Sequence, residues 1–145
     1  GKTIMAKYQD LSISDASFTA AVDLTLVQYY FVRAGSVAGE VAIANGASNP
    51  TPLGVLQNAP SPGQEARVRV LGFSKVFALT GSGCGIGYGR FITVNASGQA
   101  IPTATEAGSA VMGRWLDTAA PVSASRFGQA FINCAGFAPC AVSAC

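Results

Sequence analysis

From Leu24 onward the chain is a succession of short β-rich runs, and this pattern constrains its fold more than any other feature. The runs are LTLVQYYFV, GEVAIAN, LGVLQ, ARVRVLG, KVFALT, RFITVN, VMGRWL and QAFIN, each bounded by glycine, proline, asparagine or serine clusters such as NGASNPTP, APSPGQ, GSGCGIGYG and NASG. Such spacing predicts an all-β sandwich or barrel and requires no helix of ordinary length. Residues 1–24 show neither a helical stripe nor sustained alternation and read as an extended N-terminal arm or a short edge strand. Residues 25–133 form the predicted β-barrel domain, and residues 134–145 a cysteine-rich C-terminal tail.

A weak internal duplication runs through this domain. Residues 35–46 (GSVAGEVAIANG) lie against residues 83–95 (GCGIGYGRFITVN), Leu53-Gly54-Val55-Leu56 answers Met112-Gly113-Arg114-Trp115-Leu116, and Arg67-Val68-Arg69-Val70 answers Ala130-Phe131-Ile132-Asn133. Two copies of one small β unit commonly close around a shared core.

Histidine is absent, which removes the usual general base near neutral pH and every Ser–His or Cys–His nucleophile arrangement. The carboxylates Asp10, Asp15, Asp23, Glu40, Glu65, Glu106 and Asp117 fall singly, with no two spaced to share a strand face. The chain therefore reads as non-enzymatic, with no catalytic residues. The GSGCGIGYG run matches no phosphate-binding motif and precedes a strand, so it reads as a loop needing positive φ, and no cofactor is expected. Asn95-Ala96-Ser97 matches a glycosylation sequon but, ahead of Gly98, reads as a hairpin turn.

Cys84, Cys134, Cys140 and Cys145 include no C-x-x-C pair and have no histidine to join them, so no metal site is expected. They read as free thiols or as a disulfide within the tail or between subunits. Arg67 and Arg69 share one face of a strand and Val68 and Val70 the other, giving either a solvated face or guanidiniums that pair with carboxylates on a partner. Trp115 and the Tyr29-Tyr30-Phe31 run read as core or interface anchors.

Charged residues are 11% of the chain and hydrophobic ones 50%, with 17 glycines, so the surface must be built largely from small and uncharged groups. Such a surface offers little repulsion between copies and fits a subunit packed against neighbours. The net charge of +2 arises from scattered residues with no basic block to follow a phosphate backbone, so nucleic acid is not an expected partner. No run of apolar residues is long enough to span a membrane, and GKTIMAKYQD has no apolar signal core; no membrane partner is expected and intracellular synthesis is the default.

The segment from Val27 to Ile132 resembles the capsid decoration, or cement, proteins of tailed double-stranded DNA phages. The resemblance is carried by the order of G-E-V, P-L-G-V-L-Q-N-A-P, G-Q-E-A-R-V-R-V-L-G, a glycine-rich turn, F-I-T-V-N-A-S-G and V-M-G-R-W-L-D-T-A. It implies a small β-barrel or β-tulip-like domain with an extended N-terminal arm, made in the host cytoplasm and seated as a homotrimer on the outer surface of the virion. Its implied partners are the major capsid protein and further copies of itself. Expected shell or subunit contacts are Lys7, Tyr8, Leu11, Phe18, Arg67 and Arg69. The tail NCAGFAPCAVSAC departs from the family pattern. The alternative reading is a β-rich binding module of another virion appendage, such as a head fibre, spike base or tail component.

Overall fold

The computed structural model describes residues 14–46, 52–79, 85–102, 111–118 and 125–134. They form nine strands: β1 (Ser14–Ala20), β2 (Phe31–Ala34), β3 (Glu40–Ile43), β4 (Gly54–Leu56), β5 (Glu65–Leu79), β6 (Phe91–Val94), β7 (Ala100–Pro102), β8 (Gly113–Trp115) and β9 (Ser125–Asn133). The fold is all-β, and no helix occurs among the described residues.

The strands join in the order β1-β3-β2-β4-β5-β7-β6-β8-β9, and two further pairings, β1 with β5 and β5 with β9, close it into two rings of five that share β5. The first ring is β5-β1-β3-β2-β4 and the second β9-β5-β7-β6-β8. The rings share their strand sense: the hairpin pairs β2–β3 and β6–β7 are antiparallel, and β1–β3 and β5–β7 are parallel. The first half of β5 closes the first ring, and its second half opens the second. Closure leaves few strand edges for another chain to pair with.

Hydrogen bonds repeat between the rings. Tyr29 N–H donates to Leu56 O at 2.8 Å as Gly89 N–H does to Trp115 O at 2.7 Å, and Gln57 N–H donates to Arg67 O at 2.7 Å as Leu116 N–H does to Gln129 O at 2.8 Å. These correspondences equate β2 with β6, β4 with β8 and the first half of β5 with β9. They differ from the alignment read in the sequence, which laid the β3 segment against β6. Glycine punctuation recurs before many strands, so it does not say which strand answers which.

Two buried clusters form, and the larger one also takes Phe31 and Val55 from β2 and β4 of the first ring. Leu24, Val32, Val41, Leu56, Ala66 and Val68 fill the first, with Phe18 packed against them. The larger second cluster includes Phe31, Val76, Ile86, Ile92, Met112, Trp115 and Ile132. Two glycines at equivalent positions let the short strands press close: a Cβ on Gly54 would lie 2.2 Å from Arg69 O, and one on Gly113 2.0 Å from Phe131 O.

Four strand expectations change. LTLVQYYFV does not begin a strand at Leu24, because the Asp23 carboxylate accepts from Thr25 N–H at 3.0 Å and Thr25 Oγ1 at 2.7 Å and folds residues 23–30 into turns. ARVRVLG and KVFALT are one strand of 15 residues, which passes through the buried Gly72 at φ 123° without a break in its pairing to β9. Residues 14–20 are not an edge strand: β1 is bonded to β3 on one side and β5 on the other. β7, three residues ending in Pro102, carries too short a run to stand out in sequence. The NASG turn is as expected, with Asn95 Oδ1 accepting from Ser97 N–H at 2.9 Å and Gln99 N–H at 3.0 Å, and Gly98 at φ 80°.

Candidate interaction face

Side chains alternate across β5 and β9, which decides what they show to the outside. Ser74, Val76 and Ala78 turn into the second ring, so Phe73, Lys75, Phe77 and Leu79 turn outward. The β9 register sets Phe131 opposite Phe73, Gln129 opposite Lys75 and Phe127 opposite Phe77. An aromatic ladder results, with ring centroids 5.5 Å apart for Phe73–Phe131 and 4.9 Å for Phe77–Phe127, both edge-to-face. Phe73 and Phe127 remain 46% and 44% exposed, which makes this face a candidate contact surface among the described residues.

The turn after Asp23 extends the ladder sideways. Tyr30 stacks on Phe77 with centroids 5.1 Å apart and planes 2° from parallel, and Tyr29 meets Phe127 edge-on at 6.1 Å. Tyr29 holds φ at 71°, the left-handed region, where the second ring has Gly89 at φ 80°. A bulky residue pays a backbone penalty there of about 1–2 kcal/mol. The tyrosine ring is therefore placed against its backbone preference. It lies with Phe127 around the Lys75 ammonium, 5.2 Å and 4.9 Å from the two ring centroids. Among the described residues Lys75 forms no ion pair with a carboxylate. Its charge is held by ring faces instead.

The expected site residues fall in several places. Lys7, Tyr8, Leu11, Cys84, Cys140 and Cys145 lie outside the described residues. Phe18 is half-buried against the first core. Arg69 is engaged within the chain: its Nε and Nη2 donate to Asp15 at 2.8 and 3.1 Å, and its Nη1 to Phe73 O at 2.8 Å. Arg67 stays exposed on the same outward face. Of the arginine pair it alone presents a guanidinium at the exposed level. Cys134 is a free thiol. Its sulfur sits against Met112 Sδ at 3.7 Å, and burial pushes its pKa up to about 12, so it is unreactive at neutral pH.

Asp15, Asp23, Glu65 and Asp117 serve local contacts. Asp15 pairs with Arg69, Glu65 accepts from Ser17 Oγ, and Asp117 lies 3.5 Å from Arg126. Hydrogen bonds from the N–H groups of Thr118 and Gln129 lead in holding the Asp117 carboxyl below the ordinary aspartate range. The Thr25 hydroxyl, followed by its N–H, does the same for Asp23. Trp115 is fully buried, with its indole N–H donating to Thr118 O at 2.9 Å.

Solved structures align with most of this arrangement. The head fibre gp8.5 N base of bacteriophage phi29 shares 18% identity and a TM-score of 0.53 with this chain, covering 83% of it and 94% of the fibre-base chain. At that identity the likeness is one of fold. No protein-family model matches the chain, and no curated protein matches it. The alternation Phe73, Lys75, Phe77, Leu79 is legible in GFSKVFALT, but the β9 register that sets Phe127 and Phe131 beside it is not.

Proposed function

We propose that this chain is a non-enzymatic structural protein of the phage virion surface, which binds the assembled head as a homotrimer and stabilises the shell. The observation carrying this reading is its likeness over nearly the full length of a phage head fibre base. The outward aromatic ladder of β5 and β9 supports it, because such a face gains free energy mainly by leaving water against another protein surface. Phe73, Lys75, Phe77, Phe127 and Phe131 are the residues assigned to that contact. Arg67 extends the surface, and the arm with Lys7, Tyr8 and Leu11 reaches across neighbouring major capsid subunits.

The mechanism is thermodynamic. A ligand that binds the assembled shell and not its separated subunits shifts the equilibrium towards assembly by mass action. Three linked chains bind with a high effective concentration, so weak single contacts add to a tight whole. Purified protein mixed with empty expanded shells and, separately, with dissociated capsid subunits tests this by cosedimentation. Binding to shells alone is expected. Equal binding to both, or to neither, would refute it.

The likeness to a head fibre base specifically favours a second reading, that of an appendage base occupying few sites on the particle. Copy number separates the two. Decoration needs hundreds of chains per head, whereas an appendage needs far fewer.

A further inference from the structure

The two rings correspond residue by residue, and one pair of positions has a different fate in each. The register equates Phe31↔Val55 of the first ring with Phe91↔Arg114 of the second. Val32 and Leu56 fill the first core and Ile92 and Trp115 the second, so by alternation the residue before each of them points out of its own ring.

The outward pair of the first ring is fully buried, because the second ring covers it. Phe31 and Val55 join the cluster that holds Ile92 and Trp115, and Phe31 N–H donates to Gly98 O at 2.8 Å across the junction. The outward pair of the second ring lies open. Phe91 is 45% exposed, and the exposed Arg114 holds its guanidinium 4.7 Å from the Phe91 ring centroid. Tyr88, in the turn leading into β6, is exposed as well. At the position where the first ring receives another β unit, the second ring therefore shows an aromatic surface carrying a cation.

Charge decides which surface fits it. Residues 72–145 carry four cations and two carboxylates, whereas residues 1–71 carry five of each. Two second rings set face to face would bring like charges together at Arg114, which is unfavourable. The first ring offers the complement in the turn after β1. There Leu26, at 90%, is the most exposed large apolar side chain among the described residues, Val22 is exposed beside it, and the Asp23 carboxylate lies between them in sequence. Thr25 occupies Oδ1 of that carboxylate through its N–H and hydroxyl, and the second oxygen has acceptor sites of its own.

We propose that Tyr88, Phe91 and Arg114 dock the turn at residues 22–26 of a second copy, head to tail, with Leu26 on the aromatic rings and Asp23 paired with Arg114. A contact between unlike surfaces of identical chains closes into a ring when its rotation allows, and three copies give the homotrimer of the proposed function. The inference rests on the oligomeric part of that reading alone. It is measured without shells, so its failure would leave shell binding through the β5 and β9 ladder standing.

Analytical ultracentrifugation of the purified full chain tests it. The chain is expected to sediment as a trimer, and Leu26→Ser to weaken association about tenfold or more by removing the apolar anchor. Asp23→Asn and Arg114→Gln are each expected to weaken it about three- to tenfold, and the two together no more than either alone, because the amide still accepts from Thr25 and only the charge pair is lost. Phe73→Ser, on the ladder, is expected to leave association unchanged. All four side chains are exposed, and urea unfolding of each variant shows that the fold is kept. A wild-type chain that stays monomeric or dimeric at about 100 μM would overturn the proposal, as would Leu26→Ser or Arg114→Gln associating like the wild type, or additive effects of Asp23→Asn and Arg114→Gln. Loss of the trimer in Phe73→Ser would also overturn it, assigning the contact between copies to the ladder.

Discussion

Gly113→Ala places a methyl carbon where Phe131 O already stands, 2.0 Å from the Cβ position. The obstacle is backbone on a paired strand, so no rotamer relieves it. β8 must part from β9 by roughly 1 Å or more, beyond the range of a good hydrogen bond. Two bonds bracketing the site depend on that spacing: Asn133 N–H to Met112 O at 3.0 Å and Leu116 N–H to Gln129 O at 2.8 Å. Weakening both costs about 2 kcal/mol, and the overpacking itself adds about 1–3 kcal/mol. A total of about 3–5 kcal/mol corresponds to a fall in melting temperature of about 10–15 °C for a chain of this size. Gly54→Ala, with its Cβ 2.2 Å from Arg69 O, is expected to behave alike in the first ring. Gly39→Ala is the control: at φ 89° with nothing within 4 Å of its Cβ, it incurs only the left-handed backbone penalty of about 1 kcal/mol. Urea unfolding of the three variants measures the difference. If Gly113→Ala falls within 1 kcal/mol of Gly39→Ala, the close-approach reasoning is refuted.

Tyr29→Gly is expected to be about 1 kcal/mol more stable than Tyr29→Ala, because both lose the ring and only glycine loses the strain at φ 71°; thermal unfolding reads the sign, and alanine the more stable would contradict it. The Cys134 peptide is expected to resist alkylation at pH 8 in the native protein and to label readily in denaturant, since its thiol is pushed up to about 12; rapid native labelling by mass mapping would show the sulfur to be solvated. Asp117 has its folded pKa lowered from 3.8, so its stabilising contribution is present above that value and lost as pH falls through the lower, folded one. Asp117→Asn is therefore expected to flatten the acid limb of the stability curve below about pH 4, and an unaltered limb would exclude this role.

Much of the fold was legible because β-rich runs and glycine punctuation are local signals. The runs at Glu40–Ile43, Gly54–Leu56, Phe91–Val94 and Gly113–Trp115 all lie within the predicted segments. What failed was decided by partners distant in sequence. Leu24–Tyr30 has β-forming residues, yet Asp23 caps a turn there and Leu24 is drawn into the first core. The ring closures depend on pairings such as Ser14↔Leu71, across more than fifty residues, which no periodicity reveals. The candidate interaction face was missed for a related reason: that Phe127 and Phe131 flank Phe77 and Phe73 depends on the β9 register, which no local pattern shows. The Arg67/Arg69 pattern was visible, but the sequence could not show that Asp15 would come to lie 2.8 Å from Arg69.

The number of chains carried by a phage head tests the proposed decoration role most directly. Particles from the source, sedimented on a gradient and resolved by denaturing gel, give the ratio of this chain to the major capsid protein. A fixed ratio amounting to hundreds of copies on every filled head is the predicted result. A chain that stays at the top of the gradient, absent from heads, would contradict it.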